Sequence, residues 1–273
     1  MKKLSYLIIL LMIGFVATSC NKDDDKEEVV DPNEVVANGS CGDNLEWKLT
    51  AGGVLTISGS GKMHIDILAL APWKDYNDKI ETVVIEDGCT KIADRAFALC
   101  TAMTSATIPN TVTEIGKAAF SNCISLKSIT LPNTLKEMGW SVFRGCKSLT
   151  SIEIPSTLTY IPMETFTECS ALKSVKIPNT TTSIDVAAFA VCTSLESVDI
   201  PISVNKINNQ AFFNCSSLKD VYVHWAKPLR IEERTFINKT GVFDHILHVP
   251  AGTKSKYEAA DYWKEFKEIV EED

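Results

Sequence analysis

Six cysteines, Cys100, Cys123, Cys146, Cys169, Cys192 and Cys215, follow one another at a constant step of 23 residues. Six phenylalanines keep the same step (Phe97, Phe120, Phe143, Phe166, Phe189 and Phe212), and so do five prolines (Pro109, Pro132, Pro155, Pro178 and Pro201). A fixed period of about 20–29 residues marks a solenoid, in which each repeat is one coil that buries its apolar side only by stacking on its neighbours. Under that constraint most of the distinctive side chains are rungs of a ladder.

One coil runs from Cys123 to Phe143, and the next begins at Cys146. Ile129 and Leu131 alternate with Ser128 and Thr130, the period-two pattern of a short strand with one buried face. Pro132 ends the strand because it has no N–H to give. Leu135 and Met138 cover a return side, and residues 141–146 predict a single helical or tight turn that inserts Phe143 and Cys146. The leading slot is filled by Met103, Leu126, Leu149, Leu172, Leu195 and Leu218, and the return slot by Ile92, Ile115, Met138, Ile161, Ile184 and Ile207. Five near-perfect repeats are flanked by imperfect ones, as expected where terminal coils present a solvated outer face.

This recurring Ala-Phe-x-x-Cys-x-x-Leu-x-x-Ile-x-Ile-Pro pattern resembles the BspA-type leucine-rich repeat family over residues 73–245. The resemblance implies an α/β leucine-rich-repeat solenoid, dominated by strands. Thr181, Pro162, Asp185 and His224 depart from the pattern in single coils. Ahead of the coils, residues 39–72 predict a β-hairpin cap: Trp47 and Leu49 alternate, Gly52-Gly53 turns, and Leu55 and Ile57 return. Behind them, residues 246–273 predict a helical cap. Ser255 and Glu258 have capping-box spacing, and Tyr257, Trp263, Phe266 and Ile269 can share one helix face.

The chain opens with Met1-Lys2-Lys3, an apolar run from Leu7 to Val16, and Ala17-Thr18-Ser19-Cys20. Residues 1–19 read as a secretory leader, too short to span a membrane as a helix. The small residues before Cys20 resemble a bacterial lipobox, which implies lipidation of Cys20 and a membrane attachment through that lipid alone. Residues 20–38 carry the run Asp23-Asp24-Asp25-Lys26-Glu27-Glu28 and predict an acidic, disordered tether. The run also resembles the export signal of surface lipoproteins in Bacteroides-like bacteria, implying an outer-membrane protein that faces the exterior.

Formal net charge is −8, and loss of Lys2 and Lys3 with the leader makes the remainder more acidic. An acidic chain without a basic stripe gives no electrostatic case for nucleic acid. The cysteine ladder does not read as a metal site, since zinc needs four converging ligands and equivalent side chains on stacked coils point in parallel. Buried, reduced thiols packed as small apolar groups are expected instead. Cys41 and Cys89 stand outside the ladder, and their pairing is left open. His245 and His248 are three apart, on opposite sides of any strand, so surface positions without a metal are expected. Ser105, Ser128, Ser151, Ser174 and Ser197 form one more rung column, and no nucleophile motif, phosphate loop or dinucleotide fingerprint occurs. Glu153 and Asp199 lie two coils apart, ~10 Å at the strand spacing, beyond the roughly 6.5–9.5 Å of an inverting glycosidase pair. Neither catalytic residues nor cofactors are expected.

What varies from coil to coil is the outward strand column Thr107, Thr130, Glu153, Lys176, Asp199 and Tyr222. Beside it run Lys127, Lys173 and Lys219, and Trp225 lies close to Tyr222 as a second aromatic anchor. Solenoids bind partners through such extended faces. The expected function is a protein-binding or adhesion module, and the family resemblance implies host matrix or another cell surface as partner. The competing reading is a glycan-binding accessory lipoprotein of a polysaccharide-uptake system, which needs clustered exposed aromatics such as Tyr222 with Trp225.

Overall fold

The computed structural model describes residues 30–65, 70–238 and 241–272. The leader, Cys20 and the acidic run lie outside the described residues. Contacts gather Asp31–Asp273 into one compact unit.

Each coil has three sides. A front strand comes first: Thr82–Ile85, Ser105–Thr107, Ser128–Ile129, Ser151–Glu153, Ser174–Lys176, Ser197–Ile200 and Asp220–Val223. A return strand follows, as in Cys89–Ile92, Glu114–Ile115 and Lys206–Ile207. Neighbouring coils pair in parallel with residues 23 apart in register, Ser151 on Ser174 and Ser183 on Lys206. The alternation at Ser128–Ile129 therefore holds, with the serine exposed and the isoleucine buried.

The third side is a tight turn and not a helix. It carries two non-glycine columns at positive φ: Arg95, Ala118, Ser141, Glu164, Ala187 and Gln210, then Leu99, Asn122, Glu168, Val191 and Asn214, with Gly145 filling the rung between Asn122 and Glu168. Left-handed backbone at a non-glycine residue costs about 1–3 kcal/mol. Here it turns N–H groups toward the next coil: Arg95 donates to the Lys117 carbonyl, Phe97 to Ala119 and Leu99 to Ser121, each at 2.8 Å. The turn side thus forms its own hydrogen-bonded ladder. Composition gave no sign of it, because glycine occupies only one of these rungs.

Inside, the rings of Trp73, Phe97, Phe120, Phe143, Phe166, Phe189, Phe212 and Phe236 stack in one column, with each neighbouring pair 5.1–5.7 Å apart. Trp47 meets Trp73 edge-on, and Trp263 and Phe266 close against Phe236. The ladder cysteines pack beside this column. The thiols of Cys123, Cys146, Cys169, Cys192 and Cys215 donate at 3.1–3.2 Å to the carbonyls of Phe97, Phe120, Phe143, Phe166 and Phe189 respectively. Cys100, with no phenylalanine coil before it, donates to Asn77 Oδ1 instead.

Both strand columns are interrupted at one place. No ladder joins Glu137–Met138 to Tyr160–Ile161, and the front sheet divides between Ser128–Ile129 and Ser151–Glu153. Gly116, Gly139, Asp185 and Asn208 each donate a backbone N–H to the return strand of the previous coil. Pro162 holds the equivalent position and has no N–H to donate to Met138. The turn side crosses this seam intact, through Ser141 to Met163, Phe143 to Thr165 and Gly145 to Thr167.

The caps differ from the sequence expectation. The N-terminal cap is a three-stranded meander: β1 (Val35–Gly42), β2 (Leu45–Thr50) and β3 (Val54–Gly59), with β3 pairing in parallel onto Thr82–Ile85. β1 starts inside the 20–38 segment expected as tether. Only Cys41 of its residues is buried, and backbone pairing with β2 holds the strand in place.

At the other end the expected helix shrinks to α1 (Lys254–Glu258). Thr253, and not Ser255, takes the cap position, and its hydroxyl donates to the Pro250 carbonyl at 2.6 Å. Tyr262 at φ 64° then turns the chain into a short 3-10 turn and the strand Glu268–Glu272. That strand pairs in parallel with Ile246–Pro250. Tyr257, Trp263, Phe266 and Ile269 are all buried, but they come from α1, the 3-10 turn, the residue after it and the last strand instead of one helix face. The C-terminal cap thus keeps a short helix, but a further strand closes the solenoid.

Candidate binding surfaces

The outward strand column is assembled as one surface. Thr107, Thr130, Glu153, Lys176 and Asp199 are exposed, as are Lys127, Lys173 and Lys219 beside them. Register places Glu153 next to Lys176, Lys176 next to Asp199, and Asp199 next to Tyr222. The chemistry is graded. Toward the N-terminal end the front face is mainly threonine and serine; past the seam it is charged.

Trp225 does not belong to this surface. It is 6% exposed, its indole N–H donates to the Val204 carbonyl at 2.8 Å, and its ring packs edge-on against Trp263. Tyr257 adds a bond from its hydroxyl to the Trp225 carbonyl. Trp225 lies past the last regular coil, where the 23-residue ruler no longer tells inside from outside, and the cap needs an aromatic to cover the final rung.

The ring beside Tyr222 is that of His248. The two rings stack with centroids 4.1 Å apart. The His248 Nε2 lies 2.9 Å from Asp220 Oδ1 and its Nδ1 lies 2.5 Å from Glu272 Oε1. Carboxylates only accept, so a ring that donates from both nitrogens is the imidazolium. Burial pulls the imidazole pKa down, but hydrogen bonds from the ring to Asp220 and Glu272, with their charges, hold it above the ordinary 6.5. The Tyr222 phenol is raised by burial first and then by Asp220, Glu272 and Asp199. His224 lies 2.6 Å from Asp199, extending the cluster across the front face. Sequence spacing alone assigns these histidines no role. The available signal was the alternation through Leu247 and Val249, which turns His248 outward. His245 is buried, contrary to the surface expectation, with its ring nitrogens 2.6 Å and 2.9 Å from the Leu218 and Phe236 carbonyls.

All eight cysteines among the described residues are buried and free, Cys41 and Cys89 included. Burial pushes Cys100, Cys146 and Cys215 up to about 12, and Cys123, Cys169 and Cys192 well above their usual range. A thiol held protonated is a poor nucleophile and a poor metal ligand. Among the described residues no group of three or more His, Cys, Asp or Glu side chains is placed to hold a metal ion.

The sequence profile of the BspA type leucine rich repeat region matches in six copies, over residues 90–219 and 141–243. The chain belongs to this family. Similar solved structures include a leucine-rich repeat protein from Eubacterium ventriosum, at 19% identity, covering 86% of this chain and 84% of that one with a TM-score of 0.40. A leucine-rich repeat protein from Bacteroides ovatus has 22% identity, 84% and 76% coverage, and a TM-score of 0.37. A leucine rich cell surface protein from Faecalibacterium prausnitzii has 17% identity, 85% and 94% coverage, and a TM-score of 0.37. No curated protein sequence matches the chain.

Proposed function

We propose that the protein is a lipid-anchored cell-surface module that binds a protein partner, host matrix or another cell, through its front strand face. The carrying observation is the contrast across each strand: Ile152 and Val175 point inward, while Glu153 and Lys176 point outward and close no ion pair within 4.0 Å among the described residues. Charges displayed in register and left unpaired are suited to a complementary surface. Repeat proteins of this family act as scaffolds, and the module has no enzymatic role in this reading. In this reading Cys20 carries the lipid, the part of residues 20–38 ahead of β1 supplies the acidic tether, and the run from Asp23 to Glu28 serves as the export signal for display on the outer face of the outer membrane.

The glycan reading of this face loses its support, because Trp225 is buried and leaves Tyr222 stacked on His248 without an aromatic platform. The test is binding of the purified protein to arrayed matrix proteins and glycans, repeated with Lys176→Glu and Asp199→Lys. Matrix-protein binding that both variants weaken supports the reading; glycan hits alone, or binding indifferent to both variants, overturn it. Protease shaving of intact cells tests display, which fails if the domain survives untouched.

A further inference from the structure

Four of the five tryptophans, Trp47, Trp73, Trp225 and Trp263, are buried and belong to the two caps. Trp140 is the exception. It sits in a regular coil, is 39% exposed, and its indole makes neither a hydrogen bond nor a ring contact among the described residues. More than a third of its surface is open to solvent. Its column reads Asp94, Lys117, Trp140 and Met163, each on the next coil, so the position faces outward. The backbone brings these rungs close: Lys117 N–H donates to Asp94 Oδ1 at 2.8 Å, and Ala118 N–H to the Trp140 carbonyl at 2.9 Å. Gly116 and Gly139 permit that approach, since a Cβ on Gly139 would lie 2.6 Å from Lys117 N.

Trp140 forms one end of a cleft of about 900 Å³ between the cap residues Ala71–Asn77 and the turn side of the first coils. Lys74, Arg95 and Lys117 line it, all exposed, and none has an ion-pair partner within 4.0 Å among the described residues. Lys91 also lines it but is engaged by Glu114. Asp75 and Asp94 oppose these cations, and Asp94 is already bonded to the Lys117 amide. In a chain of net charge −8, a cleft with three uncommitted cations is a local inversion of sign. A concave site focuses such a field and attracts anions.

We propose that this cleft binds an acidic oligosaccharide, a uronate or sulfated sugar, with Trp140 as the stacking platform and Lys74, Arg95 and Lys117 holding the anionic groups. The cations alone would serve any polyanion. The exposed indole decides for a sugar: its flat apolar face covers the C–H face of a pyranose, and its free N–H donates to a hydroxyl. The guanidinium of Arg95 presents a planar fork to a carboxylate or sulfate. This site is separate from the front face, which lies on another side of each coil.

The test uses the purified full-length chain in calorimetric titrations with four probes: oligogalacturonate, a sulfated dextran oligosaccharide, neutral dextran oligosaccharide, and poly-glutamate of matched charge. Binding of oligogalacturonate or sulfated dextran, weakened about tenfold or more by Trp140→Ala and by Lys117→Glu, supports the site. The two acidic sugars separate carboxylate from sulfate preference. Both variants must melt like the parent protein, and Lys176→Glu on the front face must leave sugar binding unchanged. Neither acidic sugar binding overturns the proposal. So does poly-glutamate binding as tightly with no effect of Trp140→Ala, which would make the cleft an acidic-peptide site, or neutral dextran binding equally well.

Discussion

Inward and outward columns run side by side along the same coils, and they behave oppositely. The inward column repeats phenylalanine from Phe97 to Phe212, whereas the outward column reads Thr107, Thr130, Glu153, Lys176, Asp199 and Tyr222. An inward side chain packs against its own copy on either side, with ring centroids 5.1–5.7 Å apart, so a change in volume on one rung is felt by two others. An outward side chain packs against water. The difference locates where side chains can change without loss of the fold.

The sharpest way to break the contrast is Phe166→Ala. It removes a fully buried ring with stacked neighbours on both sides and should cost about 3–5 kcal/mol in denaturant unfolding. A cost under about 1 kcal/mol would mean that the column relaxes freely. Cys169→Ala comes next. It deletes a buried sulfur and leaves the Phe143 carbonyl without that donor, for an expected loss of about 1–2 kcal/mol. The same logic predicts that thiol reagents label the described cysteines only as fast as the domain opens; rapid native labelling of the ladder would contradict it.

His248 offers a smaller effect with a defined sign. Its folded pKa is raised above 6.5, so folding favours the imidazolium. The resulting stability is fully present below pH 6.5 and is lost as pH rises through the folded pKa. Melting temperature should therefore fall across that window, and His248→Gln should remove this component; an unchanged pH profile would show that Asp220 and Glu272 do not hold the charge. The smallest effect belongs to the outward column itself. Lys176→Glu and Asp199→Lys should each shift stability by no more than about 0.5 kcal/mol. A larger loss would mean that the front face takes part in holding the coils together.

The repeat period was legible because stacking is a local rule applied many times. A residue's place on the ruler predicts its burial, and the expectation holds for every ladder cysteine and phenylalanine. The same ruler could have identified Trp140, since the charged residues Asp94 and Lys117 in its column mark an outward position. Trp225 was not readable in this way, because the register changes after Val223 and the chain wanders before rejoining the sheet at Ile246. The positive-φ turn ladder was hidden for a different reason. Its bonds join backbone to backbone, and residues as different as Arg95, Ala118, Ser141 and Glu164 occupy one column.

Sequence by itself determined the coil, its inward columns and the face left to vary, since each follows from a 23-residue period and the alternation of a strand. Only tertiary structure decided how the ends close and which side chains meet there. The chain threads Glu268–Glu272 beside Ile246–Pro250, and that brings Glu272 to His248 and Asp220, 24 and 28 residues apart in sequence from the histidine. It also lays the segment before the first coil across the turn side, which makes a cleft of Lys74, Arg95, Lys117 and Trp140. A repeat specifies contacts at one fixed separation; the caps make contacts at others, and those are settled by packing in space.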